Sequence, residues 1–189
     1  VIFEGGLKRG PSPSGTYYDP VDIAPYLTKG SNTIAILLWH FGKDGFSHIN
    51  SGKAALLFEA IAPGLEIVSD ASWQCALYEA YQNTEPPFPN YRMPESNIRF
   101  DARQAITNWN RTSFEGSLPG AVCVGKAGKA PFGELVERPI PQWKNSGLLS
   151  YVSVRESLRG DTLFCRLPYN AQITPYMKVE AEAGKTIHI

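Results

Sequence analysis

Glycine and proline recur along the whole chain, 17 and 15 times, and this punctuation limits the fold more than any other feature. Proline lacks a backbone N–H and breaks helix interiors, while glycine weakens helices and strands alike. Between the breaks lie short runs rich in β-branched and aromatic residues: 33–39, 54–60, 66–69, 74–79, 121–124, 151–154, 163–167, 177–182 and 186–189. Nowhere does an apolar period of 3.6 residues persist for four turns, so no long amphipathic helix is expected. Many short strands between turn signals predict an all-β chain, built as a sandwich or a barrel.

The run Ile34-Ala-Ile-Leu-Leu-Trp39 is apolar on both faces and is predicted to be a central strand. Just before it, residues 19–30 read as one short helical turn. Asp22 is its N-cap, Pro25 lies in its first turn and Gly30 is its stop. Residues 82–96, with Pro86-Pro-Phe-Pro89 inside, are predicted to be a long surface loop. Residues 125–142 form a second irregular stretch. A domain boundary is expected within 140–145, dividing 1–141 from 142–189. Val1 is no initiator methionine, and Lys185-Thr-Ile-His-Ile189 alternates like a strand with no turn after it. Both ends are therefore expected to continue, and the lack of a signal segment says nothing about location.

With 43% hydrophobic and 19% charged residues, the chain has the composition of a folded globular protein. Its 18 basic and 18 acidic side chains cancel, leaving no basic excess to neutralise phosphates, so nucleic acid is not expected as a partner. The longest apolar stretches, 33–41 and 54–58, are far too short to span a membrane. Cys75, Cys123 and Cys165 lack C-x-x-C spacing, which argues against zinc. Each sits beside apolar residues and is expected to be a buried free thiol. One disulfide with a leftover thiol is the alternative.

Glycoside hydrolysis needs two placed carboxylates, one of them able to hold a proton. The acidic residues here are scattered and mostly flank turns, so no catalytic residue is assigned. His40, His48 and His188 show no metal-ligand spacing, and no metal site is assigned. Asn110-Arg-Thr112 matches the N-glycosylation sequon and is read as a chance match. Trp73, Trp109 and Trp143 stand alone and are read as packing residues.

The densest chemistry is Trp39-His-Phe-Gly-Lys-Asp-Gly-Phe-Ser-His48. Aromatic faces cover the C–H side of a sugar, and convergent polar groups bond its hydroxyls. The carbohydrate-binding candidates are Trp39, Phe41, Asp44, Phe46, His48 and Asn50. A plainer reading stands beside this one. Lys43-Asp-Gly45 is an ordinary turn sequence, and Trp39 and Phe41 finish a core strand.

Asp22-Ile-Ala-Pro-Tyr-Leu-Thr-Lys-Gly-Ser-Asn-Thr-Ile-Ala-Ile-Leu-Leu38 resembles the "DVTPYLKKGENVIAVLL" stretch of bacterial α-L-rhamnosidase amino-terminal domains. Ser69-Asp-Ala-Ser-Trp73 resembles their "SDESW" turn, and Asn97-Ile-Arg-Phe-Asp-Ala-Arg103 their "YDAR" segment. Trp109 and Phe114 sit where the family has a "W…F" pair. Leu135-Val-Glu-Arg-Pro-Ile-Pro141 is similar to its "RPIPP" exit into the next domain. These ordered matches span about 17–141. Beyond them, residues 160–176 resemble the opening of the family's next β-sandwich.

The resemblance, to glycoside hydrolase family 78, implies a jelly-roll-like (galactose-binding-like) β-sandwich over 1–141. It implies a linker and the truncated start of a second β-sandwich over 142–189. It further implies an accessory region beside a catalytic (α/α)6 barrel carried by the parent chain, and a periplasmic or secreted location. The family's catalytic carboxylates lie on that barrel, so none is carried over. Some related modules hold rhamnose with a calcium ion. By resemblance alone, a rhamnose-containing glycan and calcium are the ligands to consider. A stand-alone carbohydrate-binding module is the alternative. The strands that normally precede "YYD" are missing here, so the copy of the domain is expected to be incomplete.

Overall fold

The structure, a computed structural model, describes residues 2–3, 5, 15–40, 42, 44, 52–84, 98–129, 132–141, 146–171, 176–182 and 184–186. Among them the regular structure is strand, apart from short 3₁₀ turns, and every named strand belongs to a two-stranded ladder. The all-β expectation therefore holds at this level. The chain divides by contact into a first unit, Val1–Trp143, and a second, Lys144–Ile189.

In the first unit, β1 (Gly15–Tyr18) lies parallel to β6 (Glu134–Glu137), with Gly15 opposite Glu134 and Tyr18 opposite Glu137. Both strands stop together for a reason written in the sequence. The next residues, Asp19 and Arg138, are each followed by proline, which cannot donate to a ladder. β2 (Glu59–Ala62) and β3 (Leu65–Val68) form an antiparallel hairpin. Its turn is Pro63-Gly64. Proline presets φ at the first corner, and Gly64, at φ +76°, takes the left-handed second corner. β4 (Tyr81–Asn83) pairs antiparallel with β5 (Ile98–Phe100).

The best-packed region surrounds Ala80, the one buried hydrophobic residue among those described. The Asp101 N–H donates to the Ala80 carbonyl at 2.9 Å. The Tyr81 ring lies 4.8 Å from Phe100 and 5.4 Å from Tyr78, whose other neighbour is Trp109 at 6.2 Å. A second aromatic contact joins Phe58 and Trp73 at 5.3 Å. The Trp73 indole N–H is satisfied by the Val68 carbonyl at 2.9 Å. Trp73 and Trp109 are thus half-buried packing residues, while Trp143 lies outside the described residues.

In the second unit, β7 (Ser153–Glu156) and β8 (Leu163–Arg166) make an antiparallel hairpin. Its loop is tied by the Ser157 hydroxyl, which donates to Asp161 at 2.8 Å and accepts from the Asp161 and Thr162 N–H groups at 3.3 Å. Arg155 lies over the ring of its cross-strand partner Phe164, at 5.0 Å.

Several expectations need correction. Residues 33–39 form no strand. A strand apolar on both faces needs a strand on each side, none of the described ladders includes this run, and Ile36, Leu37, Leu38 and Trp39 are exposed. Among the described residues the runs 121–124 and 177–182 form no strand, although the Ala121 N–H donates to the Trp73 carbonyl at 2.7 Å, and 74–79 keeps a single bridge, Gln74 to Gly120. Strand β4 takes in Gln82 and Asn83, so the loop predicted from residue 82 starts later; residues 85–97 lie outside the described set. Strand β6 interrupts the stretch read as irregular. The predicted helical turn exists but is shorter, a 3₁₀ turn at Ala24–Tyr26, and its N-cap is Ile23 rather than Asp22, which accepts from the Ala24 N–H at 3.0 Å from one residue earlier. Gly30 does not stop it. At φ +102°, Gly30 belongs to a separate turn clamped by the Asn32 side chain, which bonds the Thr28 and Gly30 carbonyls. The cysteines are free thiols, but all three are exposed rather than buried. Their apolar neighbours in sequence are not gathered into a core around them.

Candidate functional site

Two of the sequence-nominated sugar contacts fall among the described residues. Trp39 is 58% exposed, Asp44 is exposed, and Gly42 takes a left-handed φ of +73°. Phe41, Phe46, His48 and Asn50 lie outside the described residues. Exposure alone does not single out Trp39, because Leu37 and Leu38 beside it are about as open, at 51% and 48%.

Asp70 accepts from the Ser72 hydroxyl at 2.5 Å and from its N–H at 2.8 Å. These bonds, the hydroxyl first, lower the Asp70 pKa. Asp101 caps the 3₁₀ turn Ala102–Gln104. The Arg103 guanidinium grips it through Nε at 2.8 Å and Nη2 at 2.6 Å, and the Arg103 N–H adds a third bond at 3.1 Å. Held so, the Asp101 carboxyl falls well below the usual range, and Arg103 is raised in return. Asp161 is lowered by the Ser157 hydroxyl first and the Thr162 hydroxyl second. All three carboxylates are tied into turns that stabilise their charged form. A general acid requires the opposite displacement.

The feature that sequence reasoning missed is the cluster where β1 and β6 end. Arg138 Nε meets Asp19 Oδ1 at 2.7 Å, with the side chains only 10% and 3% exposed respectively. The same guanidinium lies 5.3 Å from the Tyr17 ring centre, within reach of a cation–π attraction. The Thr16 hydroxyl donates to the Phe132 carbonyl, and the Arg138 N–H to the Tyr18 carbonyl at 3.0 Å. The one legible signal was the matched pair of motifs, Asp19-Pro20 and Arg138-Pro139. The cluster clamps strands, and its ion pair is shielded from solvent.

Among the described residues, no group of three or more His, Cys, Asp or Glu side chains could hold a metal ion. No helix there is long and apolar enough to cross a membrane. No family profile matches the chain, and neither a curated protein nor a solved structure matches it.

Proposed function

We propose that this chain is a non-catalytic accessory region of an α-L-rhamnosidase-like glycoside hydrolase, with a jelly-roll-like sandwich over 1–141 and the start of a second sandwich after it. Its role is to buttress a catalytic (α/α)6 barrel of the parent chain. The observation that carries the reading is the pairing of β1 with β6. The ordered motif matches run from about Tyr17 to Pro141, and this ladder with its Asp19–Arg138 pair ties the two ends of that span together. The "SDESW"-like and "YDAR"-like segments also form defined Asp-centred turns, the kind of local device that a sequence motif preserves.

Two measurements test the proposal. The coding sequence after Ile189 should continue into a helical barrel with paired carboxylates; a stop codon soon after Ile189 would overturn it. The purified chain should release no rhamnose from an aryl α-L-rhamnoside. Turnover that is abolished by replacing one Asp or Glu of this chain would refute the non-catalytic assignment.

A further inference from the structure

We draw no further inference here: the strongest candidate, the open groove of about 260 Å3 lined by Leu148, Leu149, Tyr151, Leu167, Tyr169 and Tyr176 in the second unit, is an unpartnered apolar face, and nothing in the structure shows what covers it.

Discussion

Asp19 and Arg138 stand 119 residues apart in sequence and meet at 2.7 Å, almost fully shielded from solvent. They directly follow Tyr18 and Glu137, the last register pair of the parallel β1–β6 ladder. A buried ion pair adds little net stability when whole, because desolvation offsets its attraction, but removing one partner strands the other charge. Asp19→Ala should therefore destabilise the first unit, by at most about 3–5 kcal/mol. Asp19→Ala with Arg138→Met should recover a large part of that loss. Urea unfolding of the two variants and the parent checks this. Equal losses in the single and double variants would show that losing Asp19 does not strand the Arg138 charge.

How much of this was legible beforehand follows from contact distance along the chain. β3 and β8 fall within a residue of the runs predicted for them, since hairpins announce themselves locally through turn residues such as Pro63-Gly64. The β1–β6 pairing left no such signal. Parallel strands join through a long crossover, and nothing near Thr16 points to Phe132. Residues 33–39 misled for the converse reason: apolar content marks a need for burial without supplying a partner strand. The Trp39–Asp44 segment was legible as chemistry, because residue types alone carry that signal. Its geometry depends on how the flanking chain is anchored, which no local motif specifies.

The hairpin turn gives a second test. A Cβ on Gly64 would meet nothing within 4 Å, so any penalty there is purely one of backbone conformation at φ +76°. Gly64→Ala should cost about 1–2 kcal/mol. Gly64→Asn should cost less, because asparagine tolerates the left-handed region. Unfolding midpoints for the two variants should rank parent, Asn, Ala. If Ala matched the parent, the turn would not hold the left-handed conformation.

Acid sensitivity should follow the Asp-centred turns. Asp70, Asp101 and Asp161 all have pKa values below the ordinary 3.8. For a carboxylate depressed on folding, the stabilisation is complete above the unfolded value and disappears as pH falls through the folded one. The turns should hold unchanged down to about pH 4 and loosen below it, with Asp101 the last to protonate because the guanidinium grips it. Carboxyl chemical shifts followed by NMR titration would show this order. An Asp101 midpoint at or above 3.8 would contradict the Arg103 contact.

All three thiols are exposed, which gives a direct chemical test. Cys75, Cys123 and Cys165 should all react with a water-soluble disulfide reagent without denaturant, since access and thiolate fraction govern the rate. The native count should equal the count in denaturant. A thiol that titrates only after unfolding would restore the buried reading for that residue.

The last test concerns the Trp39–Asp44 segment and separates sugar contact from plain packing. If the segment receives a sugar, methyl α-L-rhamnoside should bind the chain measurably by calorimetry, and the titration should be run with and without calcium. A hydrogen bond to a charged carboxylate contributes about 1.5–3 kcal/mol, so Asp44→Ala should weaken binding about ten-fold or more. Trp39→Ala should lower affinity too, by removing a ring face that is 58% open and suited to the C–H side of a pyranose. The melting midpoint must be read beside the affinity. A contact role predicts large affinity losses with small changes in midpoint. A packing role predicts the reverse: truncating a tryptophan that serves as core costs about 3–5 kcal/mol and leaves no affinity to lose. A midpoint that collapses in Trp39→Ala, in a chain showing no heat of sugar binding, would assign the segment to packing and leave the buttressing role standing without it.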